Sequence, residues 1–337
     1  MALLAAQPEK AVTPRAFSPK VQSAASKDFY SGIDYFLSNK FEKAYTNFVK
    51  VSKTSGISSE EKDIATYNAA LSLERVKKYS KALDLYRTTQ SNDKDKYYRI
   101  SACCHELKKW DCVLAGLKNW KDKSGSLSLV EEFEFRVRTG SAYVSLYSYK
   151  DGVPYLETAA KAFIEKQELL LKDAQNKEYT KEKITALGFW ALDDLATAYK
   201  TMGQNIKLPD NDDEADLSFL STLKNQVNLK AYYYLKAQDV YLQMVELGDV
   251  KTASKGLFMI GQLYQDAYNT FLGTKIPQQI KDKKLEQEYS KELKTSLQPL
   301  LEKAKAAYNK NMDLALKYKV SNEWIQKSSS ALIKIKG

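Results

Sequence analysis

Cysteine, histidine, glycine and proline are all scarce in this chain of 337 residues, which has 3 Cys, 1 His, 13 Gly and 7 Pro. The shortage of Gly and Pro argues against an all-β fold, which needs many tight turns, and abundant Ala, Leu, Lys and Glu favour helices. Hydrophobic residues make up 44% of the chain, which is enough for a sizeable core. The composition therefore predicts an all-α protein.

The three cysteines, Cys103, Cys104 and Cys112, lie close together in the sequence. Their odd number argues against a disulfide framework, and their spacing lacks the paired CxxC motifs of a structural zinc site. We therefore expect them to be small, buried apolar residues. The alternative, which applies if the protein is exported, is a disulfide that joins Cys103 or Cys104 to Cys112.

Arginine is also rare, because only six of the 52 basic residues are Arg, although the net charge is +10. Proteins that bind nucleic acids rely on Arg for bidentate contacts and carry a clustered basic stripe. Here Lys is interleaved with Glu and Asp, which predicts a solvated surface and no nucleic-acid partner. No apolar run reaches the roughly 20 residues that span a membrane, so no integral membrane span is expected.

The start of the chain, MALLAAQPEKAVTPRAFSPK, combines a short apolar patch with a polar stretch interrupted by prolines. These residues lack the charged start and the full apolar core of a secretory signal. They are therefore either the remainder of a trimmed signal or a tail, and we expect residues 1–22 to form a disordered N-terminal arm.

A pattern of small and aromatic residues begins in the segment FYSGIDYFLSNKFEKAYTNFV. Helical periodicity predicts two helices there, over residues 28–38 and 41–52, with a turn at SNK. Small side chains let two antiparallel helices approach closely, and rings fill the space around the contact. Steps of three, six, three and four separate the marked residues, which are Gly32, Tyr35, Phe41, Ala44 and Phe48.

The same steps recur along the chain, which indicates an internal repeat. A second copy has Ala70, Leu73, Tyr79, Ala82 and Tyr86, and a third has Ser101, Cys104, Trp110, Val113 and Leu117. A fourth, weaker copy has Gly140 and Tyr143, with a second helix that starts near Val153. Two later pairs of helices carry the marks Ala196, Tyr199, Ala237, Tyr241 and Gly261, Tyr264, Ala304, Tyr308. Long inserts over residues 203–225 and 273–297 separate the helices of these two pairs.

This spacing resembles the tetratricopeptide repeat, whose small and aromatic positions it matches. The resemblance implies an all-α superhelix of antiparallel hairpins. Hairpins 1 to 4 are expected over residues 23–170, and two hairpins with inserts over 171–320. Residues 321–337 are expected to form a capping helix, with Ser321 or Asn322 as its N-cap.

The C-terminal third is also similar to envelope proteins of gliding and predatory bacteria. The similar stretches are GLFMIGQLYQDAYNTFLGTKIP and LEKAKAAYNKNMDLALKYKVSNEWIQKS, together with the insert between them. The resemblance implies a periplasmic or envelope-associated scaffold, like the tetratricopeptide proteins linked to adventurous gliding motility. If no export signal was trimmed, the location would be cytoplasmic.

Short catalytic motifs such as GxSxG, GxxxxGK[ST] and HExxH do not occur in the sequence. The single histidine, His105, follows Cys104, but neighbouring residues on a helix point about 100° apart and are poorly placed to act together. We therefore expect no enzymatic activity, no cofactor and no metal site.

The remaining function is recognition of a protein or peptide partner by a non-catalytic scaffold. In stacked hairpins the first helices line a concave face, which offers a groove for such a partner. The alternative function is a carbohydrate- or peptidoglycan-associated module, in which tyrosines stack on sugars. For each ring, core packing is the other interpretation. The resemblance to the repeat places these partner-binding residues on the concave face: Phe29, Phe36, Tyr67, Arg75, Tyr98 and His105.

Overall fold

The computed structural model describes residues 13–16, 24–175, 179–208, 217–274 and 282–336. All regular secondary structure in these ranges is α-helical, so the all-α prediction is confirmed. The helices are α1 (Ala24–Leu37), α2 (Phe41–Ser52), α3 (Ser59–Arg75), α4 (Tyr79–Thr88), α5 (Lys94–Glu106), α6 (Trp110–Ser124), α7 (Leu129–Ser145), α8 (Tyr149–Glu165), α9 (Gln167–Gln175), α10 (Lys181–Asn205), α11 (Leu217–Leu247), α12 (Val250–Leu272), α13 (Lys283–Tyr318) and α14 (Glu323–Lys336).

The chain divides into two compact units within α10. Unit 1 ends at Leu187 and contains α1 to α9 with the start of α10. Unit 2 begins at Gly188 and contains the rest of α10 with α11 to α14. From α1 to α9, and again from α11 to α14, helices that follow one another in sequence pack against each other, as in a helical repeat.

Four hairpin turns in unit 1 share one backbone conformation. The middle residue of each three-residue turn is left-handed: Asn39, Lys77, Lys108 and Tyr147 have φ of 58°, 60°, 55° and 60°. The N–H of the next residue donates to the carbonyl five residues back, at 2.7 Å in the first turn and 2.9 Å in the others. This closure satisfies a carbonyl at the end of the first helix. We call the four pairs joined in this way, from α1/α2 to α7/α8, hairpins 1 to 4.

The small residue of the first helix lies against a bulky side chain of the second, and this close approach of the paired helices is what the repeat pattern predicts. A Cβ atom on Gly32 would lie 2.8 Å from the Phe48 ring, and one on Gly140 would lie 2.6 Å from Cγ of Leu156. In unit 2, a Cβ atom on Gly261 would overlap the Tyr308 ring. Since these distances are shorter than van der Waals contact, glycine sets how closely the paired helices approach.

The predicted inserts of unit 2 coincide with unusually long helices. Helix α10 extends to Asn205 and α11 begins at Leu217, so both ends of the insert 203–225 are helical. Likewise, residues 283–297 of the second insert form the start of α13. The middle parts of both inserts, like most of the predicted N-terminal arm, lie outside the described residues.

Helix α14 packs against α12 and α13 at the C-terminal end of unit 2. Asn322 caps it, because its Oδ1 accepts hydrogen bonds from the backbone N–H groups of Trp324 at 3.0 Å and Ile325 at 3.1 Å. Asn311 of α13 donates from Nδ2 to the Ser254 carbonyl and to Ser328 Oγ, both at 2.9 Å. This buried amide joins all three helices.

A disulfide joins the two helices of hairpin 3. It links Cys104, near the end of α5, to Cys112, in the first turn of α6, with Cα atoms 5.8 Å apart. The expectation of small buried residues without a bridge was therefore wrong for this pair, and the alternative pairing is present. The tight turn places the two side chains opposite each other, whereas Cys103 points elsewhere from α5 and is fully buried.

We expect reduction of this disulfide to lower the free energy of unfolding by about 2 kcal/mol, because the bond closes a short loop in the unfolded chain. Urea unfolding with and without a reducing agent measures the difference. A variant that carries Cys104→Ala and Cys112→Ala is the control and should be insensitive to the reductant. An equal response of this variant would assign the effect to something other than the bond.

Candidate functional site

A short non-helical segment of the chain, residues 13–16, contains Arg15, which contacts α3 and the loop between α4 and α5. Asn68, in the middle of α3, binds the main chain of Arg15 with both ends of its amide. Its Oδ1 accepts from the Arg15 N–H at 2.9 Å, and its Nδ2 donates to the Arg15 carbonyl at 2.9 Å. Asn68 is fully buried, so these bonds satisfy a buried amide. Asn68 therefore recognises the backbone of this residue, and its two hydrogen bonds do not depend on which side chain the residue has.

The Arg15 side chain is held by three other residues. Its guanidinium carbon lies 3.5 Å from the centroid of the Tyr67 ring. Its Nη2 lies 2.8 Å from both carboxylate oxygens of Asp93, and Nη1 donates to Ser91 Oγ at 3.3 Å. Stacking and charge-assisted hydrogen bonds suit a planar guanidinium. We call Tyr67, Asn68, Ser91 and Asp93 the arginine site.

The loop between α4 and α5 is fixed by a side chain of α3. The carboxylate of Asp63 accepts hydrogen bonds from the backbone N–H groups of Gln90 and Ser91, the second at 3.0 Å. Asp93 is the N-cap of α5, because its Oδ1 accepts from the Lys96 N–H at 3.0 Å. Asp63 therefore holds the backbone at Ser91, and the cap of α5 holds the Asp93 side chain, in the positions where they meet Arg15.

The carboxylate of Asp93 is kept ionised by its surroundings. Burial raises its pKa, but hydrogen bonds from Ser91, the Lys96 N–H and Arg15 outweigh burial and leave the pKa below the usual 3.8. At neutral pH the arginine site therefore presents a negative charge to a guanidinium.

A buried polar network also contacts the Tyr67 ring. Tyr67 makes an edge contact with Tyr86, with ring centroids 5.3 Å apart. Tyr86 OH donates to Glu74 Oε2 at 2.7 Å, and Arg99 Nη1 donates to Glu74 Oε1 at 2.8 Å. Glu74 and Arg99 are both buried, so each charge offsets the other. The Tyr67 ring that stacks on Arg15 is therefore packed against a tyrosine whose own position is fixed by a buried hydrogen bond.

A second buried cluster surrounds Glu134 of α7, which is fully buried. Its carboxylate accepts hydrogen bonds from Tyr98 OH at 2.9 Å and Arg138 Nε at 2.7 Å. It also accepts from Tyr179 OH at 2.5 Å and Lys183 Nζ at 3.0 Å. We call these five residues the Glu134 cluster. They connect α5, α7 and the start of α10 within unit 1.

The charge state of Glu134 follows from its two cationic neighbours. Burial alone raises the pKa of this carboxyl, but the charges of Lys183 and Arg138 outweigh burial and hold the pKa far below its usual 4.5. Burial and the neighbouring Glu134 charge raise the pKa of Tyr179, which stays a hydrogen-bond donor. The cluster is therefore a buried structural tie, in which one carboxylate is shared by two cations and is already engaged by its donors.

Three of the predicted partner-binding rings belong to the core, which is the other interpretation that the sequence left open for each ring. Phe29 is 0%, Phe36 5% and Tyr67 4% exposed. Phe29 packs on Phe48, with centroids 5.5 Å apart, and Phe36 makes a similar contact with a neighbouring ring. The two Phe rings fill the space between paired helices, and only Tyr67 reaches the arginine site.

The other three predicted residues are half-buried. The Arg75 guanidinium lies 5.3 Å from the centroid of the Phe41 ring, and Tyr98 belongs to the Glu134 cluster. His105 makes an edge contact with Trp110, with centroids 5.4 Å apart. Burial, and then the Arg138 charge, lower the pKa of His105 to about 4, so its ring is neutral at pH 7. Their partner-binding role stays a prediction.

The residues that form the arginine site, apart from Tyr67, were missed by sequence reasoning. A weak signal existed in the run ATYNAALSL, where Asn68 interrupts small and apolar residues of a buried helix. Asparagine is a poor choice for a helix interior unless its amide has a specific partner. Arg15 was a second signal, as one of six arginines in a lysine-rich chain.

The chain matches no known protein-family model and no curated protein sequence. In the described ranges, none of the helices is both long and apolar enough to cross a membrane. Also among the described residues, His, Cys, Asp and Glu side chains form no group of three or more that could hold a metal ion.

Proposed function

We propose that the chain is a non-catalytic scaffold or adaptor that binds a protein or peptide partner. The observation that carries this proposal is the arginine site, which holds polypeptide through both its backbone and a side chain. The contacts to Arg15 come from α3 and from the loop that leads into α5. Helices α3 and α5 are the first helices of hairpins 2 and 3, and first helices line the face on which a helical repeat receives an extended segment.

We further propose that the hairpins form a superhelix like that of tetratricopeptide proteins. The support is the equivalence of the four turns in unit 1 and the pairing of a small residue with a bulky one sixteen positions later, as in Gly32 with Phe48 and Gly140 with Leu156. Stacking of such hairpins gives each first helix a neighbour of the same kind.

The proposed location is the bacterial cell envelope, where a scaffold of this kind would serve an assembly such as a gliding machinery. The disulfide between Cys104 and Cys112 supports the proposal, because structural disulfides persist in oxidising compartments such as the periplasm. The resemblance of the C-terminal third to envelope proteins points in the same direction.

Capture from a bacterial envelope extract tests the proposal. Purified chain, immobilised through its C-terminus, is mixed with the extract and cross-linked, and the attached peptides are identified by mass spectrometry. We expect cross-links from partner proteins to a lysine beside the arginine site, such as the partly exposed Lys94. Soluble peptidoglycan fragments should leave this capture unchanged. Capture that the fragments abolish would instead support the carbohydrate-binding alternative, for which the exposed Tyr147 ring is a candidate surface.

A further inference from the structure

We propose that the arginine site is the receptor for an arginine-bearing segment of the partner protein, and that residues 13–16 are a built-in competitor for it. The inference rests on the proposed scaffold function and specifies its ligand. In the structure the chain's own Arg15 occupies the site. A partner segment of the same chemistry would therefore have to displace it.

The contacts with the Arg15 side chain favour arginine over lysine. Two nitrogens of one guanidinium reach Asp93 and Ser91 at the same time, while the carbon between them lies over the Tyr67 ring. A lysine ammonium is a single point charge without a plane that could stack on the ring and reach both residues. The acidic side chain also gives the site the charge that complements a basic ligand.

The contacts with the Arg15 backbone make the site a peptide site rather than a site for free guanidinium compounds. Asn68 pairs with the N–H and the carbonyl of a single residue, so it needs a peptide group on each side of the arginine. None of these bonds depends on a covalent link to α1. A segment from another protein can therefore make the same set of bonds.

The link to α1 gives the internal segment an advantage over a free ligand. Only eight residues separate Arg15 from Ala24, where α1 begins. A connection as short as this produces an effective concentration on the order of millimolar. The site is therefore occupied unless a partner binds strongly or residues 13–16 are drawn away, and the apparent affinity for a free segment is reduced accordingly.

Peptide binding to the full-length chain tests the inference. The probe is the fluorescently labelled peptide AVTPRAFS, which has the sequence of residues 11–18, and its binding is followed by anisotropy. We expect a chain that carries Arg15→Ala to bind the peptide about tenfold more tightly than the unsubstituted chain, because the competitor has lost its side-chain contacts. A peptide with lysine in place of the arginine should bind this variant about tenfold more weakly.

A second substitution tests the acidic residue without loss of the helix cap. Asp93→Asn, added to the Arg15→Ala chain, removes the charge but keeps a good N-cap residue for α5. We expect it to weaken peptide binding by about tenfold and to leave the circular dichroism spectrum unchanged.

Three results would overturn the inference. The first is that a folded Arg15→Ala chain binds the arginine and lysine peptides equally, or binds neither of them. The second is equal affinity of the peptide for the chain with and without Arg15→Ala, which would exclude the built-in competitor. The third is a dimer of the unsubstituted chain that Arg15→Ala converts to a monomer, because the occupant would then come from a second copy.

The outcome is separable from that of the scaffold proposal. If the peptide binds as expected but no envelope protein is captured, only the proposed scaffold function is contradicted. If the chain with Asp93→Asn captures the partner as strongly as the chain without it, the scaffold proposal is still supported. The arginine site would then not be the place where the partner docks.

Discussion

Replacement of Glu134 by alanine is expected to lower the free energy of unfolding by about 3 to 5 kcal/mol, the usual cost of removing one partner from a buried ion pair. The carboxylate is fully buried and accepts hydrogen bonds from both Arg138 and Lys183, whose side chains are 11% and 8% exposed. Without Glu134 the two cations remain buried with like charges side by side. Urea unfolding followed by far-UV circular dichroism measures the loss.

An exposed ion pair in the same unit provides the matched control. Lys78 Nζ lies 2.8 Å from Glu42 Oε1, which is shorter than the distance from Lys183 to Glu134, but the Glu42 side chain is 73% exposed. Water already solvates both groups there, so Glu42→Ala should leave unfolding unchanged within error. If Glu134→Ala behaved like Glu42→Ala, the Glu134 cluster would not be the tie that we describe.

A compensating double variant identifies the origin of the loss. In the chain with Glu134→Leu and Lys183→Met, one buried cation is removed together with the carboxylate. We expect part of the stability to return, because replacing both partners with apolar side chains avoids an unpaired charge. Arg138 has lost the Glu134 carboxylate in this variant too, so recovery should be incomplete.

The acid response of the unsubstituted chain follows from the same cluster. The pKa of Glu134 is lower in the folded chain than in the unfolded chain. Its contribution to stability is therefore complete above the ordinary carboxyl pKa of 4.5 and is lost as the pH falls below it. In the Glu134→Ala chain, the free energy of unfolding should therefore decrease less as the pH is lowered than it does in the unsubstituted chain. This difference comes in addition to the lower stability of the variant at pH 7.

The hairpins were predictable because each depends on residues close together in sequence. The turn at SNK, the close approach of the two helices at Gly32 and the cap by Asn322 all follow from helical periodicity and local chemistry. The structure places each of them as the pattern predicts. Periodicity defines which face of a helix meets its partner, and the hairpin follows from it.

The arginine site and the Glu134 cluster were not predictable for the opposite reason. Arg15 and Asn68 are 53 residues apart, and Lys183 and Glu134 are 49 apart, so each contact depends on how successive hairpins stack. Helix α3 added a second difficulty, since almost its whole C-terminal half is buried. With buried residues on all sides of the helix, periodicity could not separate the core-facing side of Tyr67 from the side that meets Arg15.

Gly32→Leu tests the close helix contact in hairpin 1, and we expect it to lower the free energy of unfolding by about 3 kcal/mol. A Cβ atom at this position would lie 2.8 Å from the Phe48 ring, which is itself fully buried. Leucine is a better helix former than glycine by roughly 0.8 kcal/mol, but the steric clash with the ring outweighs this gain. Thermal or urea unfolding, followed by circular dichroism, measures the net change.

Two further variants separate the contact from the effect of adding a leucine. Asp34→Leu adds the same side chain to an exposed position of α1, where nothing has to move, and should change stability by less than about 0.5 kcal/mol. Phe48→Ala, combined with Gly32→Leu, removes the ring that the leucine meets and should recover part of the loss, because the large residue then lies on the other helix. If Gly32→Leu were as mild as Asp34→Leu, the two helices would not need a glycine to approach, and the small residue would have no structural role in the repeat.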